Sequence, residues 1–331
     1  MTKPHVSCIT VTYGPTPTLW AMLESLHRTT PRQDVEVIVV TQPDAESSMA
    51  TEVARRYPKV SLIALDENVG FGAANNRGVE IARGESVALL NPDLVLPERW
   101  LDPLQSALTD ESVMIAAPPM LTRFGYLDEA GQVVYSDGGS APFGPTGLHA
   151  SYEQLMFSRD VDYSSAACWL MRRNDFVDLG GFDLAYSPAY FEDVDLAFRV
   201  WKVGGRCRFV SSRPVIHDHA AATSDRTRIA IRSRDVFRSK WTAELEKQPR
   251  RFIGRESCER VRDHRCTDHR RVDIDKKISD ARARVLVDEV GRWAQANPTA
   301  RATVHCNHRP VVEEWRRIWC GHGLEIVSND K

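Results

Sequence analysis

Short apolar runs alternate with amphipathic segments along the first 90 residues of the chain. The apolar runs are rich in β-branched side chains and predict buried strands over His5–Thr12, Val35–Val40, Val60–Leu65 and Ser86–Leu90. The segments between them repeat apolar residues every three or four positions and predict helices over Thr18–His27, Ala50–Tyr57 and Gly70–Arg83. This alternation is typical of βαβ units in a parallel sheet, which places the chain in the α/β class.

The regular alternation weakens after Pro97. The pattern there predicts helices over Arg99–Leu108, Asn174–Gly180 and Asp193–Val203, and strands over Val113–Ala117, Ala167–Arg172, Cys207–Val210 and Val215–His217. Residues 122–165 are rich in Gly, Pro and Ser and predict a long irregular loop, of a length that often serves as a lid.

We place a domain boundary near Pro249. The residues beyond it, 250–331, predict a small α/β appendage of unknown role. Its elements are a helix that begins near Ile278, a strand over Ala302–Cys306, a helix over Val311–Cys320 and a strand over Leu324–Val327.

Composition and charge narrow the range of functions. Hydrophobic residues make up 42% of the 331 residues and charged residues 27%, as in an ordinary globular enzyme. The formal net charge of −2 excludes the global basic field that recruits nucleic acid. The chain has no apolar run long enough to span a membrane, no amino-terminal export pattern and seven scattered cysteines. We therefore expect a cytoplasmic protein with reduced thiols.

Basic residues dominate from Arg226 to Arg271. Such a run can face a nucleotide diphosphate, an anionic membrane surface in peripheral contact, or another polyanion. A solvated helix face is the plainer interpretation, because most charge runs are no more than that.

The fourth predicted strand runs directly into Asn91-Pro92-Asp93. Pro92 forces a sharp turn, and ligands of open α/β sheets bind beyond the carboxyl ends of the strands. A carboxylate in that place suits a divalent cation that carries phosphates, although the same three residues also fit an ordinary turn. Upstream, Gly70 and Gly72 would let a backbone approach a ligand closely, while Asn68 and Asn76 add amide donors.

Three carboxylates, Glu192, Asp193 and Asp195, lie within four positions among apolar neighbours. Asp193 at the start of a helix could act as a general base or only as the helix N-cap. Asp195 and Arg199 are four positions apart and predict an ion pair. Glu192 lies on a different helix face and could bind an acceptor or hold the loop.

The order of these motifs resembles that of the family 2 inverting glycosyltransferases, in particular the branch that includes rhamnosyltransferases. The resemblance covers roughly residues 5–245 and rests on VSCITVTYG, ENVGFGAANNRG, LLNPD, LGGFD, YFEDVDLAFRVWKVGGRCRFV and VIHDHAAATS. It implies a GT-A fold, with a mostly parallel nucleotide-binding sheet flanked by helices. The nucleotide-binding half would then span about 1–120 and the acceptor half about 121–249.

The resemblance also implies roles for individual residues. Asp93 matches the metal-binding aspartate of the family, and Asn91 stands where many members have another aspartate. Asp193 matches the catalytic base. His217 matches the metal-binding histidine, with His219 as the competing ligand two positions on. The cation would be Mg²⁺ or Mn²⁺, and a histidine ligand favours Mn²⁺.

Donor and acceptor contacts follow from the same resemblance and from the motifs around it. We expect donor contacts from Thr10, Thr12, Tyr13, Asn68, Gly70, Phe71, Asn76, Asn91 and Asp93. We expect acceptor contacts from Glu192 and Trp169, although an aromatic residue such as Trp169 could equally pack in the core. Family members commonly carry a base-binding aspartate just after the second strand, whereas here Asp44 comes three places late.

The sequence therefore predicts a metal-dependent inverting glycosyltransferase. It would move a sugar from a UDP- or dTDP-sugar to a hydroxyl of a glycan, a lipid-linked acceptor or a small molecule, in bacterial cell-surface polysaccharide or natural-product biosynthesis. One alternative is an inactive sugar-nucleotide-binding or scaffolding subunit. Another is a sugar nucleotidyltransferase, which the stretch VTYGPTPT disfavours because it lacks a basic, glycine-rich loop. The tail could pack on the catalytic domain, form a homodimer or hold another protein.

Overall fold

The computed structural model describes residues 5–30, 35–43, 49–142, 157–218, 225–251, 264–266, 268–274, 278–297, 300–306, 315 and 324–328. Its strands are β1 (Val6–Tyr13), β2 (Val35–Gln42), β3 (Ser61–Ala64), β4 (Ser86–Leu90), β5 (Leu94–Val95), β6 (Val113–Ala117), β7 (Met120–Leu121), β8 (Leu127–Glu129), β9 (Gln132–Val134), β10 (Ser140–Pro142), β11 (Arg159–Asp160), β12 (Cys168–Arg172), β13 (Arg206–Phe209), β14 (Val215–His217), β15 (His269–Asp273), β16 (Arg301–Cys306) and β17 (Leu324–Ser328). Its helices are α1 (Thr18–Thr29), α2 (Met49–Arg56), α3 (Phe71–Ile81), α4 (Leu101–Ala107), α5 (Arg173–Asp178), α6 (Glu192–Lys202), α7 (Arg226–Lys240), α8 (Thr242–Leu245) and α9 (Asp280–Ala296).

A large mixed sheet forms the centre of the protein. In the described part of the chain its strand order is β11-β13-β6-β12-β4-β1-β2-β3. Strands β4, β1, β2 and β3 pair in parallel, as the βαβ pattern predicts, while β12 runs antiparallel between β4 and β6. The carboxyl ends of β1, β2 and β4 therefore meet at one edge of the sheet, and the candidate site lies there.

The sheet separates two hydrophobic layers. Ile9 and Val11 of β1 pack into the layer of α3, α5 and α6, whereas Val6 and Cys8 pack into the layer of α1, α2 and α4. Successive side chains of a strand point to opposite faces, so a fully buried strand must be apolar on both sides. This requirement explains why β1, β2 and β4 are nearly continuous apolar runs.

A second, smaller sheet lies beside the carboxyl end of β4. Its order is β5-β14-β7-β8. Strand β14 pairs antiparallel with β5 and parallel with β7, which in turn pairs antiparallel with β8. The segments that follow β4, β6 and β13 in sequence meet in this small sheet.

The carboxyl-terminal residues form a separate parallel sheet of order β15-β16-β17, against which α9 packs. Residues beyond the predicted boundary at 249 also contact the first domain. The buried carboxylate of Asp162 accepts hydrogen bonds from Nε2 of His264 at 2.9 Å and from Nε of Arg265 at 2.7 Å. The guanidinium of Arg265 lies 4.3 Å from the ring centroid of Trp201.

Most of the predicted elements are found within one or two residues of the expected bounds. The prediction of an irregular loop over 122–165 was wrong in its described part, because that part contains β8, β9, β10 and β11. Asp193 is not the N-cap of its helix, since α6 begins one residue earlier and Phe191 takes that position. The sequence did not predict β15, and most of the predicted helix over Val311–Cys320 lies outside the described residues. No helix in the described ranges is long and apolar enough to cross a bilayer.

Candidate active site

The loop after β4 and the small sheet bring three polar side chains together. Asp93 precedes β5, and the pairing of His217 with Leu94 sets His217 beside it. Nε2 of His217 lies 3.4 Å from Oδ1 of Asp93, and Nδ1 of His217 lies 3.0 Å from Oδ2 of Asp128 in β8. Asp93 and His217 are each 7% exposed. The fold thus buries an aspartate and a histidine face to face at the end of β4.

The chemistry of this pair fits a divalent cation. Burial alone would lower the pKa of His217, but the hydrogen bonds and charges of Asp128 and Asp93 raise it to about 9. A cation bound at Nε2 would take the place of the proton that these carboxylates stabilise there. A histidine that bonds a carboxylate through Nδ1 presents Nε2 to a metal, which is the usual arrangement around protein-bound cations. Within the described ranges, no group of three or more His, Cys, Asp or Glu side chains forms a metal cluster. A cation here would therefore complete its coordination with water and phosphate oxygens.

Helix α6 begins in a strained turn. Tyr190 and Phe191 have φ angles of 71° and 72°, in the left-handed region that residues other than glycine seldom adopt. The Phe191 ring packs against Phe237 of α7, with 5.4 Å between ring centroids. The turn sets the backbone direction from which Glu192 and Asp193 project.

Glu192 and Asp193 share one poorly solvated environment. Asp193 is partly buried, and its carboxylate accepts hydrogen bonds from the backbone N–H of Val194 at 2.8 Å and of Ala166 at 3.3 Å. Burial raises the pKa of Asp193, and the two backbone bonds oppose that rise. Burial and the charge of Asp193 raise the pKa of Glu192 well above its usual range. The backbone donors thus favour the ionised form of Asp193, while burial and the charge of Asp193 favour the neutral form of Glu192.

Two neighbouring residues, Ala166 and Ala167, connect Asp193 with the aspartate–histidine pair. Ala166 N–H donates to Asp193, and the carbonyl of Ala167 accepts the N–H of Asn91 at 2.8 Å. Nδ2 of Asn91 lies 3.5 Å from Nε2 of His217. The structure therefore brings together Asp193, Asn91 and His217, which are far apart in the sequence.

Asp195 connects α6 to the neighbouring elements through its side chain. Its carboxylate is fully buried and accepts from Nε of Arg199 at 2.9 Å, which confirms the predicted ion pair. It also accepts from the Tyr186 hydroxyl at 3.0 Å and from Nε1 of Trp241 at 2.7 Å, and Nζ of Lys240 lies 2.8 Å away. This network ties α6 to the end of α7 and to Trp241, which directly follows α7, and so fixes the helix that carries Asp193.

The glycine-rich loop before α3 is held by two side chains and one backbone carbonyl. The Gly70 N–H donates to Oε1 of Gln42 at 3.1 Å and to Oδ1 of Asn68 at 3.0 Å, while the Phe71 N–H donates to the carbonyl of Pro188 at 2.8 Å. Gln42 ends β2, so this loop lies at the same edge of the sheet as Asp93. The side chain of Asn68 therefore shapes the loop, and Phe71 begins α3 against the segment that leads into α6.

Replacing Gly70 by alanine is expected to destabilise the fold. Gly70 has a φ of +92°, and a Cβ there would lie 2.6 Å from the carbonyl oxygen of Pro188. The conformation alone should reduce the free energy of unfolding by about 1–3 kcal/mol, and the contact with Pro188 should add to that loss. Gly125→Ala is the control, since Gly125 has a φ of +80° but nothing within 4 Å of the position that a methyl group would take. Equal losses for the two variants in urea unfolding would contradict this account of the loop.

The three predicted contacts on β1 differ in accessibility. Tyr13 is 50% exposed, whereas Thr10 and Thr12 are each 1% exposed. Both threonine hydroxyls lack a hydrogen-bond partner among the described residues. The Tyr13 ring is therefore accessible from solvent, while contacts from Thr10 and Thr12 would require a ligand to reach below the surface.

Two predicted contacts are corrected by the structure. Trp169 is fully buried, and its Nε1–H donates to the carbonyl of Ser164 at 2.7 Å, so no acceptor sugar can stack on it. The amide of Asn76 exchanges two hydrogen bonds of 2.9 Å with the backbone of Phe182. Asn76 thus joins α3 to the segment LGGFD instead of facing a donor.

Sequence reasoning missed Gln42, Asp128 and Glu129. Gln42 ends the second strand, two positions before Asp44, the residue that was compared with the base-binding aspartate of the family. Asp128 and Glu129 are adjacent acids in a stretch that the sequence predicted to be an irregular loop. Two neighbouring acids were the one sequence feature there that could have indicated a site. Asp44 and the competing ligand His219 lie outside the described residues.

Comparison with solved structures identifies the fold as GT-A, the architecture of a large class of glycosyltransferases. The crystal structure of GalNAc-T7 with UDP, GalNAc and Mn²⁺ aligns with a TM-score of 0.58 at 14% identity, over 73% of this chain and 49% of that one. The mannosyltransferase PcManGT from Pyrobaculum calidifontis, in complex with GDP-Man and Mn²⁺, aligns with a TM-score of 0.51 at 18% identity, over 78% of this chain and 68% of that one.

Sequence comparison then identifies the family. The profile of Glycosyl transferase family 2 matches residues 7–180, more than half of the chain. The N-acetylglucosaminyl-diphospho-decaprenol L-rhamnosyltransferase of Mycobacterium tuberculosis is 31% identical over 242 residues, which cover 65% of this chain and 76% of that protein. The chain belongs to Glycosyl transferase family 2 and is a glycosyltransferase.

Proposed function

We propose that this protein is a metal-dependent, inverting glycosyltransferase that moves a sugar from a nucleoside diphosphate sugar to an acceptor hydroxyl. The observation that carries the proposal is the connection of the Asp93–His217 pair to Asp193 through the hydrogen bonds of Asn91, Ala167 and Ala166. The first two supply ligands for a cation and the third supplies a base. The structural neighbours support it, because their structures contain UDP or GDP-Man together with Mn²⁺.

Asp93 and His217 are the residues that would hold the cation. When bound, a divalent cation neutralises the charge that develops on a departing diphosphate. Nitrogen donors such as histidine favour Mn²⁺ over Mg²⁺. Asp128 orients His217 through the 3.0 Å contact to Nδ1, and so keeps Nε2 directed toward Asp93.

Asp193 acts on the acceptor. Its carboxylate takes the proton of the acceptor hydroxyl while that oxygen forms a bond to the anomeric carbon of the donor. The bond from the same carbon to the diphosphate breaks on the opposite face, so the anomeric configuration inverts. A base with a raised pKa accepts this proton more readily, which suits the environment of Asp193.

The mycobacterial relative supports a choice of acceptor class. The name of the mycobacterial enzyme describes transfer of L-rhamnose to a diphospholipid-linked sugar. We therefore propose a glycan acceptor of bacterial cell-surface polysaccharide synthesis as the first class to assay, with lipid-linked glycans before free sugars.

The experiment combines binding and turnover across a panel of donors. The melting temperature is measured with UDP-, dTDP- and GDP-sugars, each with and without Mn²⁺. A ligand at about 100 times its Kd stabilises the folded state by about 2.7 kcal/mol, enough for a clear shift. We expect the sugar nucleotides of one nucleobase to raise the melting temperature in a Mn²⁺-dependent way. We also expect the protein to release the nucleoside diphosphate slowly from that donor. A shift without turnover, even with glycan acceptors present, would instead identify an inactive sugar-nucleotide-binding subunit.

A further inference from the structure

Glu129 lies between the aspartate–histidine pair and Asp193. It occupies β8 next to Asp128, and neighbouring side chains of a strand point to opposite faces. Asp128 bonds His217 on one face, as described above. On the other face, the buried carboxylate of Glu129 points toward the segment that leads into β12.

The contacts of Glu129 are specific. Its Oε1 accepts the backbone N–H of Ser165 at 2.8 Å, and its Oε2 accepts an N–H of the Gln132 side chain. Oε1 of Gln132 in turn lies 2.8 Å from the hydroxyl of Tyr163. Glu129 is 4% exposed, so both bonds are shielded from water.

These bonds belong to a series that fixes every residue from Tyr163 to Ala167. The Tyr163 carbonyl accepts from the backbone of Gln132, and the Ser164 carbonyl accepts from the Trp169 side chain. The Ser165 N–H donates to Glu129, and the Ala166 N–H donates to Asp193. The Ala167 carbonyl accepts from the backbone of Asn91. Glu129 therefore holds the peptide unit directly before the one that contacts Asp193.

The environment of Glu129 does not favour a carboxyl group that serves only to stabilise the fold. Within the described ranges it makes no ion pair with a cationic side chain. Burial, and then the charges of Asp128 and Asp193, raise its pKa to about 7 against the hydrogen bonds from Ser165 and Gln132. A buried carboxyl beside two other acids costs stability, which an apolar side chain would avoid.

We propose that Glu129 is a positioning residue for the transfer step. Through Ser165 it sets the peptide of Ala166, and through that peptide it sets the carboxylate of Asp193 against the acceptor hydroxyl. The inference rests on the proposed role of Asp193 as base. It assigns a function to a residue that does not contact the cation, and it makes β8 the element that aligns both halves of the site.

The test uses four variants of the full chain: Glu129→Ala, Glu129→Gln, Gln132→Glu and the double variant Glu129→Gln/Gln132→Glu. Glu129→Ala should lower kcat by about 100-fold, since a displacement of about 1 Å at a catalytic group can cost that much, while donor KM stays within about twofold. Glu129→Gln alone places the NH₂ group of the new amide against the NH₂ group of Gln132, so kcat should fall in part. Gln132→Glu alone sets two carboxyl groups against each other and should also lose part of it.

The double variant exchanges the acid and the amide and restores both hydrogen bonds, including the acceptor for Ser165 N–H. We therefore expect it to recover kcat to within about threefold of the wild type, a rescue that simple destabilisation of the fold would not give. Equal kcat in the wild type and all four variants would overturn the proposal, as would a double variant no better than the single ones. Asp193→Asn is measured in parallel. If that variant keeps full turnover, the base assignment fails first; if it loses turnover while the Glu129 series does not, only the positioning role fails.

Discussion

Asp193→Asn is expected to lower kcat for sugar transfer by about 10²–10⁴-fold, the usual contribution of a general base. Asparagine keeps the shape of the side chain but cannot take a proton. Its single oxygen can accept only one of the two backbone N–H groups that Asp193 accepts, that of Val194 or that of Ala166. Donor affinity should stay close to that of the wild type, because the cation and diphosphate bind at Asp93 and His217. Steady-state transfer assays and donor titrations measure the two quantities separately.

Glu192→Gln is the matched control for that variant. Glu192 adjoins Asp193 and is itself a buried carboxyl, but burial and the charge of Asp193 raise its pKa well above its usual range and so favour the neutral acid. An amide resembles a neutral acid in shape and charge, so kcat should change by no more than about threefold. A Glu192→Gln variant that loses as much turnover as Asp193→Asn would show that the assignment of the base between the two is wrong.

Asp195→Ala is expected to cost about 3–5 kcal/mol of unfolding free energy, as does breaking a buried charge network. Asp195 is fully buried, and its loss leaves Arg199 and Lys240 without the carboxylate that they share. The Tyr186 hydroxyl and the Trp241 indole would also lose their acceptor. Urea unfolding should show the loss as a lower midpoint with an unchanged slope.

Asp102→Ala provides the comparison for that measurement. Asp102 also bonds an arginine close by in sequence, Arg99, at 2.8 Å, but the two side chains are 54% and 83% exposed. Exposed pairs contribute only about 0–1 kcal/mol, so this variant should stay close to the wild type. A similar small loss for Asp195→Ala would show that its network does not anchor α6.

The parallel half of the fold could be predicted because its signals are local. A strand buried on both faces must be apolar throughout, as β1, β2 and β4 are, and the helices between them repeat apolar residues at helical spacing. The ion pair of Asp195 with Arg199 was predictable for the same reason, since both residues lie on one helix face.

The small sheet could not be predicted, because its strands are too short to show a period. Strands β5, β7 and β8 have two or three residues each. Their assembly into one sheet depends on β14, which pairs with β5 and β7 and is distant from both in sequence. Asp128 and Glu129 acquire their importance only from that pairing. Trp169 was misassigned because closeness in sequence to the site motifs does not show which way a side chain points. Trp169 and Met171 lie on the same face of β12 and pack into the hydrophobic layer of α3, α5 and α6.

Donor binding with and without Mn²⁺ tests the central claim most directly. Isothermal titration of the wild type, Asp93→Asn and Asp193→Asn would use the sugar nucleotide selected by the melting panel. We expect Mn²⁺ to tighten donor binding by about tenfold or more in the wild type and in Asp193→Asn, a gain of at least about 1.4 kcal/mol that Asp93→Asn should lose. An Asp93→Asn protein that keeps the full Mn²⁺ effect would contradict the site described here.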